Sequence, residues 1–220
     1  MYPVCLEISD KLCVVVGGGS VAERKVLGLL TAGAQVRIIT PQLTRSLARL
    51  ADDGRIEWLE RGYAQGDLAG ALLIFAATDS REVQKAVCKE AGQAGQLVNV
   101  IDAPARCSFH VPAVVQRGDL TLAVSTGGKS PAVAAMIRKQ LAQSYGEEYG
   151  LLLDLISRLR EQVLAGEGNS SERKILFQNI LHDDIVHWIK SGQKDLLRRH
   201  LRAVLGSDVD FDISQPGRDT

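Results

Sequence analysis

Five short, almost continuously apolar runs rich in β-branched residues stand at 11–16, 35–40, 56–60, 72–78 and 97–102. Between them, residues 21–32, 42–53 and 81–94 space their apolar positions as one face of a helix does. Strands that are apolar on both faces and alternate with amphipathic helices predict a parallel sheet covered on both sides, a βαβ series. At the third helix, Asp79 is the expected N-cap and Glu82, three residues on, completes a capping box.

The pattern then changes twice. Residues 109–115 and 120–125 are extended runs on either side of Gln116-Arg117-Gly118-Asp119, which reads as a hairpin or a pair of longer strands. Ser130 followed by Pro131 marks the start of a helix with Val133, Met136, Ile137 and Leu141 on its apolar face. From residue 147 everything reads as helix: Leu152, Ile156, Leu159 and Val163 form one stripe, Ile175, Leu176 and Ile180 a second, Leu197, Leu201 and Val204 a third. A Gly-rich connector at 166–170 separates the first two. The expected fold class is therefore α/β: a Rossmann-like parallel-sheet domain at 1–108, a small α+β dimerisation segment at 109–145, a helical domain at 146–206, and a frayed tail at 207–220.

Composition narrows the classes. The 220 residues are 45% hydrophobic, with 26 basic against 26 acidic side chains, which argues against a disordered chain and a dedicated nucleic-acid binder. A chain of this length buries about 70% of its unfolded surface and needs no structural metal. Cys5, Cys13, Cys88 and Cys107 form no CxxC pair and read as buried small hydrophobes in a reducing compartment. No basic start is followed by an apolar stretch, and no run reaches the roughly 18 residues of a membrane span. The expected location is cytoplasmic, away from membranes. The basic excess sits in 103–145, with five Lys or Arg against one acid.

Val14-Val15-Val16-Gly17-Gly18-Gly19-Ser20-Val21-Ala22 places G-x-G-x-x-A between the first strand and the first helix. Dinucleotide binding requires that arrangement: Gly17 for a tight turn, Gly19 for close backbone approach to a pyrophosphate, Ala22 for helix-strand packing, and helix N-terminal amides for the anion. A glycine turn serving packing alone is the competing reading. The acid that ends the second strand of most NAD sites is missing, since that run closes on Thr40-Pro41. Thr40 offers a weaker ribose hydrogen bond, and Arg37 and Arg45 raise NADP unless they merely face solvent.

The five stretches Gly17–Lys25, Ala76–Asp79, Val98–Asp102, Ser108–Ala113 and Val124–Pro131, in this order, resemble the siroheme synthase family, in its precorrin-2 dehydrogenase and sirohydrochlorin ferrochelatase module. The resemblance runs from about residue 1 to 145, and the remaining helices agree in type. It implies NAD-dependent oxidation of precorrin-2 to sirohydrochlorin, in some members followed by insertion of ferrous iron, in a homodimer with much of its contact in the middle segment. It also implies Asp102 as the catalytic residue. Gly17, Gly18, Gly19, Ser20 and Val21, with Thr40, Pro41 and Thr78, fall at the NAD site. The methyltransferase of the larger fused members has no room in 220 residues.

Chemistry supports parts of this assignment. Asp102 stands at the carboxyl end of a strand, where ligands of open α/β sheets bind, and a carboxylate there can take the proton that accompanies hydride removal. A turn cap before Pro104 is the structural alternative. Thr126, Gly127, Gly128 and Lys129 form a second glycine loop at a helix start, whose free amides and ammonium suit a carboxylate. Arg106, Arg117 and Arg138 are further candidates for the substrate's carboxylates, against a reading as solvated loop and dimer contacts. No metal site is expected: His182 and His187, five apart, do not share a helical face, and His110 reads best as structural. A nucleotide-sensing regulatory domain and an S-adenosylmethionine methyltransferase are the competing functions. The missing acid at Thr40 disfavours both.

Overall fold

The structure, a computed structural model, describes residues 1–165 and 169–206. The expected tail at 207–220 and most of the connector at 166–170 lie outside the described residues. The chain divides into two units, Met1–Val111 and a second from Pro112 onward.

Alternate residues along the strands of the first unit feed two cores. β1 (Leu12–Val16) sends Cys13 and Val15 to one face and Val14 and Val16 to the other. Such a strand has no polar side, as its uninterrupted valines required. β2 (Gln35–Ile39), β3 (Glu57–Leu59), β4 (Leu73–Ala76) and β5 (Leu97–Val100) complete a parallel sheet in the order β3-β2-β1-β4-β5. α1 (Ser20–Thr31) and α2 (Arg45–Asp52) cover one face with Ala22, Val26, Leu29 and Leu47, while α3 (Arg81–Gln93) covers the other with Val87 and Ala91. This is the predicted Rossmann-like architecture.

Local polar groups move several ends from their expected places. α2 starts three residues later than read because the Thr44 hydroxyl accepts from Leu47 N–H (3.3 Å) and donates to Glu23 (2.6 Å). The cap of α3 is Ser80, accepting from Val83 N–H at 3.4 Å, rather than Asp79, so the predicted capping box does not form. β5 stops at Val100, and Asp102 lies two residues past it with φ 56.

In the second unit, β6 (Ala113–Arg117) and β7 (Leu120–Val124) form an antiparallel hairpin whose two-residue turn begins with Gly118 at φ 54. β6 starts four residues later than expected because Phe109 is drawn into the first unit's core, edge-on to Phe75 at 5.4 Å. Ser130 caps α4 (Pro131–Ser144) as read, accepting from Val133 N–H at 3.2 Å. Among the described residues four helices follow: α5 (Glu148–Ala165), α6 (Ser170–Ile180), α7 (Ile185–Lys190) and α8 (Lys194–Leu205), around Leu155, Leu159, Ile180, Ile185, Leu197 and Leu201. α7 went unread because six residues are too few to display a period. Among the described residues no helix is long and apolar enough to cross a membrane.

Candidate functional site

Gly17 carries φ 122, and a Cβ there would collide with the Ala77 carbonyl oxygen. The turn is fixed on both sides, with Gly17 N–H donating to Ile39 O (2.9 Å) and Ala77 N–H to Val16 O (2.7 Å). Gly18 is closed in as tightly, against the Gln42 carbonyl and the Thr40 side chain. Gly19 is the opposite case: a Cβ would meet nothing within 4 Å. It is also the N-cap of α1 and gives that helix no side-chain cap. An uncapped helix N-terminus facing open space across a bare Cα fits a dinucleotide pyrophosphate.

The end of β2 differs from expectation. Thr40 is only 7% exposed, and its hydroxyl donates to Gln42 O at 2.9 Å, so its proton is committed within its own turn rather than offered to a ribose. Pro41 is exposed beside it. Arg37 pairs with Glu57 on β3 at 2.8 Å, which removes it as a ready partner for a 2′-phosphate, while Arg45 is exposed.

Past the ends of β4 and β5 lies a cleft of about 420 Å³ lined by Thr78, Asp79, Arg81, Gln84 and residues 101–106. Asp102 is exposed to it and has no hydrogen-bond or ion-pair partner among the described residues. The single 3-10 turn after it, Pro104–Arg106, is preceded by Ala103 and receives no side-chain cap. The cap reading of Asp102 therefore fails. A non-glycine residue held left-handed costs about 1–2 kcal/mol, and here that cost secures no local hydrogen bond. Arg106 is exposed at the rim, and its side chain makes no hydrogen bond or ion pair among the described residues.

The second glycine loop, in the other unit, is largely self-satisfied. Gly127 N–H donates to Ser125 Oγ (3.3 Å), Lys129 N–H to Thr126 O (3.1 Å) and Ser130 N–H to Thr126 Oγ1 (3.2 Å). The free amides expected there are mostly spent, although the Lys129 side chain is exposed and Gly128 keeps φ 78. Arg117 is not a free cation either: it donates to Tyr145 O (3.1 Å) and Ala142 O (3.2 Å) at the end of α4 and pairs with Glu147. Arg117→Ala should cost about 1.5–3 kcal/mol as α4 loses charged donors to its last carbonyls. It should lower the melting temperature while leaving the apparent affinity for any carboxylate substrate unchanged.

His110 is exposed. His182 stacks on Trp188 at 5.3 Å, and no cluster among the described residues could hold a metal ion. Sequence reasoning missed three residues of the first unit. The Gln84 side chain, 8% exposed, donates to Thr78 O at 2.8 Å and pins the loop after β4. Lys25 stands over the Phe75 ring at 5.4 Å, and burial, with Arg24 adjacent, pulls its pKa below the usual lysine value. Of the four cysteines expected to be buried, Cys13 is, Cys5 is exposed, Cys88 is half-buried, and the half-buried Cys107 is more than a filler, making several hydrogen bonds to the segment that carries Asp102. Only the spacing of Cys107 from Asp102 was visible in the sequence.

Comparison with known proteins covers almost the whole described chain. An NAD(P)-binding family model matches residues 4–113, the central region of sirohaem biosynthesis proteins matches 117–144, and the sirohaem synthase dimerisation region matches 148–205. The last falls C-terminal to the segment in which the sequence placed the dimer contacts. Siroheme synthase of Methylobacillus flagellatus is 37% identical over 203 residues, and that of Pseudomonas aeruginosa 38% over 203, covering 92% and 90% of this chain but 44% of each relative. The chain thus spans less than half the length of these curated relatives. A solved structure, SirC, a precorrin-2 dehydrogenase, superposes with a TM-score of 0.81 at 26% identity, covering 94% of this chain and all of that one. With a glycine cradle of dinucleotide shape, an uncommitted carboxylate in the cleft past β5, and three consecutive family matches, the chain belongs to the siroheme synthase family.

Proposed function

We propose that the chain is an NAD-dependent precorrin-2 dehydrogenase of siroheme biosynthesis, converting precorrin-2 to sirohydrochlorin. The observation that carries the reading is Asp102, held left-handed at the cleft past β5 with its carboxylate unused. The likeness to a precorrin-2 dehydrogenase along that protein's entire length supports it. Bound NAD supplies a hydride acceptor. The oxidation takes one hydride and one proton from the tetrapyrrole, and Asp102 receives the proton, with no neighbouring donor competing for its oxygens.

The amides from Gly18 to Val21, on the turn that Gly17 fixes through its own bond to Ile39 O, would receive the pyrophosphate at the N-terminus of α1. Thr40 and Pro41 would wall the adenosine end, and Thr78 would line the nicotinamide end. NAD is favoured over NADP because Arg37 is tied to Glu57. Arg106 at the cleft, and Lys129 with Thr126, Gly127 and Gly128 in the second unit, are proposed contacts for substrate carboxylates. Anaerobic mixing with NAD and precorrin-2 tests the proposed oxidation: NADH and sirohydrochlorin should appear in equal amounts, and absence of NAD reduction would refute the reading.

The working form is proposed to be a cytoplasmic homodimer. Its support is the dimerisation-region match, four free thiols, and apolar side chains left in solvent on the second unit, among them Val133 (42%), Met136 (54%) and Ile175 (57%). Sedimentation should show a dimer at micromolar concentration; a monomer there would count against it.

A further inference from the structure

β5 is an edge strand, and its outer backbone groups are sealed by the side chains and one backbone amide of a returning segment rather than by another strand. The chain turns back after the Pro104–Arg106 turn and runs beside β5. Ser108 Oγ accepts from Val98 N–H at 2.8 Å, and Ser108 N–H donates to Val98 O at 2.9 Å. One step further along, Cys107 Sγ accepts from Val100 N–H at 3.2 Å. The same thiol has one proton to give, with Val100 O at 3.3 Å and Ala103 O at 3.5 Å as its acceptors. Asp102 lies between these partners, with no hydrogen bond of its own to hold it.

A thiol that grips the residue where β5 ends and the residue just past Asp102 closes the loop into a ring. A free loop would let Asp102 relax out of the left-handed region, because nothing in its own side chain opposes that. We infer that Cys107 is a positioning residue for the reaction, fixing the carboxylate of Asp102 toward the cleft through hydrogen bonds to Val100 and Ala103. The inference rests on the dehydrogenase reading and on Asp102 as its proton acceptor. It assigns Cys107 no bond to substrate or cofactor. Ser108 seals the same strand edge two residues upstream, at Val98, and touches no part of the Asp102 loop.

The test compares Cys107→Ala, Cys107→Ser and Ser108→Ala with Asp102→Ala and the double variant Cys107→Ala/Asp102→Ala, each as the full chain with NAD and precorrin-2. Misplacing a catalytic group by about 1 Å costs on the order of 10²-fold. Cys107→Ala should therefore lower kcat by roughly 10- to 100-fold with little change in KM or NAD affinity. Cys107→Ser, which keeps a donor and an acceptor, should restore most of it. Ser108→Ala should lose stability comparably and keep kcat. In the Asp102→Ala background, removing the thiol should lower kcat no further, because it acts only through the missing carboxylate. A Cys107→Ala enzyme with normal kcat beside an impaired Asp102→Ala would overturn the positioning role alone. A further full loss in the double variant would do the same. A fully active Asp102→Ala would overturn this role and the catalytic assignment together. Should Cys107→Ala fail to fold, Cys107→Val, which keeps the side-chain bulk and removes both donor and acceptor, takes its place: a folded Cys107→Val enzyme with normal kcat overturns the inference.

Discussion

Asp102→Ala should lower the single-turnover rate of sirohydrochlorin formation by roughly 10² to 10⁴, the usual worth of a general base, while NAD affinity stays as it was. The structure sharpens the controls. With φ 56, Asp102 sits where asparagine and aspartate are tolerated, alanine is strained and glycine is at ease. Asp102→Asn should therefore match the wild-type melting temperature and share the rate loss. Asp102→Gly should melt higher, by up to about 1 kcal/mol of stability, and be as inactive as the alanine variant. A protein that becomes more stable as it loses activity is the signature of strain retained for function. If Asp102→Asn turned over at the wild-type rate, or Asp102→Gly lost stability, the carboxylate would be structural and the proposed mechanism would fall.

The parts of this molecule that were legible in the sequence are those written in periods and in glycines. The order and type of the first eight elements follow from valine-rich runs alternating with amphipathic stretches, because a parallel sheet buried on both faces admits little else. The glycine turn was legible for the same reason: Gly17 and Gly18 stand where a side chain would strike a backbone carbonyl, and Gly19 where it would stand in open space. What stayed hidden depends on contacts between residues far apart or on the conformation of single residues. Thr40 was read as a ribose ligand because its residue type permits that; its hydroxyl is instead turned back on Gln42, which a linear sequence does not display. Arg117 looked like one more cation of a basic segment until the fold carried it to the end of α4. The Gln84 contact to Thr78 and the Cys107 ring around Asp102 belong to the same class: each joins a side chain to a backbone atom through a loop whose path no pattern records.

The three adjacent glycines make the largest contrast available within one motif. Gly17→Ala inserts a methyl group into the Ala77 carbonyl at φ 122, in a turn whose two flanking hydrogen bonds, 2.9 and 2.7 Å, leave the backbone nowhere to retreat. Overpacking and a disfavoured φ together should cost about 3 kcal/mol, a fall in melting temperature on the order of 6–12 °C for a chain of this size. Gly19→Val meets no atom within 4 Å and begins its helix at φ −82, which any residue adopts. It should melt within about 2 °C of the wild type, the scale of a surface change of roughly 0.5 kcal/mol. Its branched side chain would nevertheless fill the space in front of the α1 amides, weakening NAD binding by roughly 10²-fold or more, about 2.7 kcal/mol. Calorimetric titration of NAD and thermal melts of both variants separate the two roles. A folded Gly19→Val protein that binds NAD as the wild type does would place the dinucleotide elsewhere. A Gly17→Ala protein as stable as the wild type would show that the turn yields more readily than its hydrogen bonds imply.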